Sequence, residues 1–323
     1  DATISGAWTT TASWVGNFPI TGDMNVTGDF TTSGSSDWSG GNVIYVPLTG
    51  SIEAYHDAAT AGDTLVLASG TYTTTDDIDI TKAINVVGQG VGKTTVTCAT
   101  ANKKVFDISA SNVRIANLTI TNTGSTSFAI NTANNFSGLV FENLDITCDA
   151  SGVVTPIYIL GSNAVLKDVT VAGMSSNGAV YGVFTQNTSA TTQDATIEAY
   201  NVEVVVDGTT NSSYAFLHNN NNDANTITLK AYNCYGKSLA SGAADTGFAA
   251  TSTTTSSSIA YLYGCTVDGQ DVDVAQNNSN TLTLYDCTLV NGKTSGTITY
   301  GGTVVSSKVH ADGVVTETNF KKG

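Results

Sequence analysis

A single arginine, Arg114, stands among 323 residues. That excludes an arginine-rich clamp for phosphate or carboxylate groups. Charge of either sign is scarce: charged residues make up 12 % of the chain, about half the share usual in globular proteins. The 12 basic and 27 acidic side chains leave a net charge of −15, which repels nucleic acid. No apolar run reaches the ~18 residues that a membrane-spanning helix needs. No two of the five cysteines are spaced Cys-x-x-Cys, so no metal site is expected from them. No leader is visible, yet the chain opens at Asp1 rather than at a methionine; removal of a secretory leader is the expectation.

Thr, Ser, Asn and Gly take the place of the missing charge, and they are residues of strands and turns rather than of helices. Hydrophobic residues, at 41 %, are enough for one continuous core. They follow a repeat: apolar, any, apolar, any, a pivot, then apolar, any, apolar. It runs Val113–Ile120 around Asn117, Leu139–Ile146 around Asn143 and Ala164–Val171 around Asp168. It returns at Ile197–Val204 around Asn201, Leu229–Gly236 around Asn233, Ala260–Val267 around Gly264 and Leu282–Leu289 around Asp286. The spacing of the pivots varies from 22 to 33 residues. Solenoids of fixed repeat length keep a tighter period, so each rung here carries a loop of variable length.

Period-two alternation on both sides of the pivot predicts two strands meeting at a corner. A third strand precedes them, at Phe128–Ile130, Ile157–Ile159, Tyr181–Phe184, Tyr214–Leu217 and Val272–Val274. Three short strands and two tight turns need about 20 to 25 residues, and the surplus is loop. A sharp corner requires positive φ, which Gly, Asn and Asp tolerate and β-branched residues do not. Every pivot is one of those three types. Stacked Asn side chains also bond along such a column, with Asn117 and Asn143 as the first pair.

Ahead of these rungs, Ser51–Ala59 reads as a short helix with Ser51 as N-cap and Gly62 as its stop. The strand-like runs Gly62–Tyr72 and Ile84–Gly90 follow. This succession resembles the opening coils of the pectate-lyase-like superfamily of right-handed parallel β-helices. The resemblance implies an all-β, right-handed, single-stranded parallel β-helix with three short strands per rung and a short N-terminal capping helix. It covers residues 43–310, leaving 1–42 as an extended capping or attachment segment and 311–323 as a tail. It implies no single activity, since lyases, hydrolases, tailspikes and adhesins share the fold.

The enzymes of that superfamily need motifs that this chain lacks. Arg114-Ile115 continues with Ala116, no Gly-His-Gly occurs, and His56, His218 and His310 lie far apart in rung order. The remaining catalytic candidates are Asp145 and Glu203. Both point outward two rungs apart with Thr170 between, about 9.6 Å by strand spacing, which lies within reach of an inverting carboxylate pair. Two acid groups, Asp76, Asp77 and Asp79, and Asp268, Asp271 and Asp273, read as surface charge. Neither forms a calcium loop; no cofactor is implied, and calcium is the one ion they would suit.

Two columns emerge from the register. The residue after each pivot faces inward, so Cys234, Cys265 and Cys287 form a buried thiol stack. Their Cβ atoms, ~4.8 Å apart, exceed the ~3.8 Å a disulfide prefers. The residue before each pivot faces outward, so Tyr200, Tyr232, Tyr263 and Tyr285 form an exposed stripe, either a stacking device or a binding edge. Residues 1–42 hold Trp8, Trp14 and Trp38 without a rung of their own, and are expected to pack on the stack or on a neighbour. The reading is a non-catalytic extracellular, cell-surface or virion-surface solenoid: a fibre, filament or decoration subunit, or an adhesin. Its expected partners are copies of itself or another surface protein, with carbohydrate as a further one. The rival is a polysaccharide-cleaving enzyme of tailspike, lyase or glycoside hydrolase type.

Overall fold

The computed structural model describes residues 41–209, 211–239, 245–252, 256, 258–278, 280–309 and 315–320. Trp8, Trp14, Trp38 and His310 lie outside them. The chain is a right-handed parallel β-helix. An 18-stranded sheet wraps two sides of the stack, and a nine-stranded sheet forms the third. The wrap is possible because both arms of the corner belong to one ladder. In Leu139–Ala150 and Ala164–Ser175 the strand runs straight through the pivot.

The pivots explain this continuity. Asn117, Asn143, Asp168, Asn201, Asn233 and Asp286 have φ between 49° and 58°, and Gly264 has φ 61°. Each bends the chain without interrupting the rung-to-rung pairing on either side. Asn143 Nδ2 donates to Asn117 Oδ1 at 2.8 Å, and Asn201 Nδ2 donates to Asp168 Oδ1 at 2.9 Å. At Gly264 an added Cβ would stand 2.8 Å from Asn233 Oδ1, so glycine also keeps room for the side chain one rung below.

Register then fills the core. Leu118, Leu144, Val169 and Val202 lie in one row across consecutive rungs, and all are buried. The row continues as Cys234, Cys265 and Cys287. The nine-stranded sheet contains all five strands expected there, together with Ile78–Ile80, Lys104–Ile108, Asp245–Ser252 and Thr294–Ser295. At the corner within the 18-stranded sheet, the first two rungs turn differently. Ala68 and Ser69 lead into Gly70 at φ 128°, and a loop separates Asn85–Val87 from Thr94–Cys98. No single pivot exists there for a repeat to reveal.

The helix spans Ile52–Ala58 and buries Ile52 and His56 against the first rung. Ser51 Oγ accepts from the Ala54 N–H, as an N-cap does. The helix stops short of Gly62, which instead turns the chain at φ 96°. Lys82 Nζ donates to the carbonyls of His56, Asp57 and Ala59, satisfying the helix's last acceptors with a cation. At the other end Val315–Phe320 pairs antiparallel with Val304–Val309, the one reversal among the described strand pairings.

The corner has a measurable consequence. Asn143→Val forces a β-branched residue to positive φ and removes the bond to Asn117. It is expected to cost about 2 to 3 kcal/mol, against about 1 kcal/mol for Asn143→Gly, which keeps the angle. Urea unfolding of the two variants distinguishes them; equal losses would show that the backbone angle is not what the position requires.

Candidate functional site

The most ordered surface feature is the tyrosine column at the corner. Tyr200, Tyr232, Tyr263 and Tyr285 are directly paired across four rungs. Their ring centroids are 4.8, 4.8 and 4.7 Å apart, with interplanar angles of 6°, 8° and 7°. Each ring covers its neighbour's face and leaves an edge to solvent. Such contacts contribute about 0.5 to 1.5 kcal/mol each beyond burial. Tyr261 extends the aromatic area sideways, its ring 6.4 Å from that of Tyr263.

The lower end of the ladder is polar. Tyr200 Oη donates to Glu198 Oε2 at 2.9 Å, and Lys230 Nζ sits 3.5 Å from the same carboxylate. The bond to Glu198 raises the Tyr200 phenol pKa, because ionising it would set two negative groups together. One rung further down Lys167 pairs in register with Tyr200, and on the rung below that Glu142 is bound to Arg114. The face therefore reads as rings above and paired charges below.

On the inner side of the same corner, Cys234, Cys265 and Cys287 are 4 %, 3 % and 0 % exposed and unpaired. Three consecutive rungs thus carry a phenol just before the pivot and a thiol just after it. Cys98 and Cys148 occupy a different column with Asn122 between them, which separates them by two rungs.

Asp145, Thr170 and Glu203 follow one another on the second face, as the alternation requires, and Tyr235 continues that column. The acid groups are more entangled than surface charge would be. Asp273 is not the surface charge expected from sequence: it is fully buried, and its carboxylate accepts from the N–H groups of Gly269, Asn291 and Lys293. It braces a turn, and burial raises its pKa. Asp268 is paired with Lys237 at 3.0 Å. Asp77, Asp79 and Asp107 bring carboxylate oxygens within 4.8 Å of one another. Lys103 and Lys104 enter that group, at Asp76 and at Asp107. Asp245, which no sequence pattern marks, is buried and pushed up to about 6, by desolvation first and then by Asp271 and Asp207. A cavity of about 120 Å³ lies under the helix between Glu53, Tyr72 and Val96, below the ~300 Å³ of a typical small-molecule pocket.

A second aromatic cluster, not expected from the sequence, lies on the outer face of the nine-stranded sheet. Tyr158 stacks on Phe184 at 5.0 Å and Tyr181 on Tyr214 at 5.9 Å, with Phe128 beside them. Its signal is present, since these are the outward positions of strands already recognised. The rings alternate between two columns, so no single offset from a pivot repeats.

No family profile and no curated protein matches the chain. Solved structures do match. ORF18 of Geobacillus virus E2 is 13 % identical over 82 % of this chain and 61 % of its own, with a TM-score of 0.39. The chain therefore spans about three fifths of that protein's length. A pectin methylesterase in complex with a hexasaccharide is 12 % identical, covering 83 % and 81 %, with a TM-score of 0.39. The Dettilon tailspike protein is 11 % identical, covering 80 % and 68 %, with a TM-score of 0.26. All three are parallel β-helices. The fold of this chain is read from its own strand register.

The inward thiols give a direct check of that register. A bulky maleimide should leave Cys234, Cys265 and Cys287 unmodified in the native protein and label them all in denaturant. Rapid native labelling of all three would mean a register slipped by one residue, which turns every side chain to the opposite face.

Proposed function

We propose that the chain is a non-catalytic solenoid working outside a cell or on a virion, as a fibre, filament or decoration subunit or an adhesin. The tyrosine ladder is its docking edge, for a second copy or another surface protein. The observation that carries this reading is the ladder itself: four parallel rings in register on a half-buried corner. Tyrosine is enriched at interfaces because its ring is apolar and its hydroxyl polar. Flat rings also suit sugar faces, which makes carbohydrate a further partner. A net charge of −15 opposes unspecific clumping, so association through one uncharged stripe is selective. The segment 1–42, with Trp8, Trp14 and Trp38, supplies further aromatic anchors for attachment.

A second reading rests on Asp145 and Glu203. Their shared column and two-rung separation fit an inverting pair of carboxylates on a polysaccharide-cleaving enzyme, with Tyr235 next in line. Against it, the three residues lie on an outer sheet face.

Tyr232→Ser with Tyr263→Ser should weaken self-association, read by analytical ultracentrifugation, while thermal stability falls by only a few degrees. Deleting residues 1–42 should leave the circular dichroism of the helix intact and weaken association too. A double variant that loses stability but keeps its partners would reduce the ladder to a stacking device. Release of reducing ends from polysaccharides, lost on Asp145→Asn or Glu203→Gln, would put the enzyme reading first.

A further inference from the structure

The thiol column offers chemistry that its sequence spacing conceals. Cys234 Sγ lies 3.5 Å from the Ala199 carbonyl and 3.4 Å from that of Tyr232. Cys265 repeats this with Ala231 at 3.4 Å and Tyr263 at 3.5 Å, and Cys287 with Leu262 and Tyr285, both at 3.3 Å. The same pair of contacts on each rung means the same rotamer on each rung. The sulfurs therefore follow the strand spacing, ~4.8 Å from one to the next.

That spacing is wrong for a disulfide and right for something else. A metal–thiolate bond is about 2.3 Å long, so two of them end to end span ~4.6 Å. An ion placed between stacked sulfurs would then be held by two collinear thiols without moving the backbone. Tetrahedral zinc finds only two ligands in such a gap, and calcium or magnesium finds no oxygen cage. A soft, monovalent, two-coordinate ion is satisfied there. The core beside the first of these gaps also has spare room. A void of about 10 Å³ borders Cys234 and Cys265, walled by Phe216, Phe248, Gly236 and Leu262. That is close to the volume one water needs, but the walls are apolar and offer it no partners.

We infer that Cys234 and Cys265 form a two-coordinate site for a soft monovalent metal ion such as Cu(I) or Ag(I), inside the corner beneath the tyrosine ladder. One thiol loses its proton to solvent as its sulfur–metal bond forms. The other donates a lone pair and keeps its proton. The positive ion and one thiolate make a neutral unit, which a dry core accepts where a net charge would be costly. No electrons are transferred. Cys287 stacks on the far side of Cys265, away from the void, and Cys98 has no thiol neighbour in its column.

The test titrates the full-length reduced chain with silver nitrate in chloride-free buffer and counts ions retained after buffer exchange by native mass spectrometry. One ion per chain is expected, with a rise in thermal midpoint, while a bulky maleimide still fails to react. Cys234→Val and Cys265→Val, which extend the apolar column of Val169 and Val202 and so preserve the fold, should each lose the ion. Cys287→Val and Cys98→Val should retain it. No retained ion in the native protein would overturn the inference. So would retention by Cys265→Val equal to that of the unmodified chain, or equal loss in Cys287→Val and Cys234→Val.

Discussion

A strand that turns sharply while keeping its ladder intact needs a residue at positive φ, and this solenoid supplies one at the same corner of seven rungs. The demand is steric, so it restricts the position to Asn, Asp or Gly. Once the angle is fixed, the faces of the flanking residues follow. The residue before the corner must look out and the one after it must look in. The tyrosine ladder and the thiol column are two results of that single constraint, on opposite sides of one backbone.

The same constraint made part of the fold legible from sequence. A polar or glycine residue interrupting period-two alternation is a rare pattern, and its recurrence at Asn117, Asn143, Asp168, Asn201, Asn233, Gly264 and Asp286 marks the rungs whatever the loop lengths between them. Where the corner is built otherwise, the signal vanishes. Gly70 completes a turn made by several residues, and a loop separates Val87 from Thr94, so the first two rungs show no pivot. Asp245–Ser252 escaped notice for another reason: Thr, Gly, Ala and Ser lie on both of its faces and leave little alternation to read. Asp273 misleads because composition cannot show that three N–H groups converge on its carboxylate.

The site was legible to the extent that it repeats. Tyr200 to Tyr285 share one offset from the pivot, so their stacking follows from register, while the rings around Tyr158 and Tyr181 share none. The bond from Tyr200 to Glu198 depends on side-chain reach between columns, which no periodicity encodes, whereas Glu198 and Lys230 are in-register partners on neighbouring rungs. Arg114, Lys230, Lys237 and Lys104, each a cation that could assist catalysis, are engaged in ion pairs with Glu142, Glu198, Asp268 and Asp107.

The conformation of the corner can be measured residue by residue. Backbone scalar couplings and chemical shifts from NMR of the isotope-labelled protein report φ directly. Positive φ is expected at all seven corner residues, with extended values for Tyr232 and Cys234 on either side of Asn233. Ordinary strand values at Asn143, Asn201 and Asn233 would contradict this, and with it the placement of the tyrosines outside and the cysteines within.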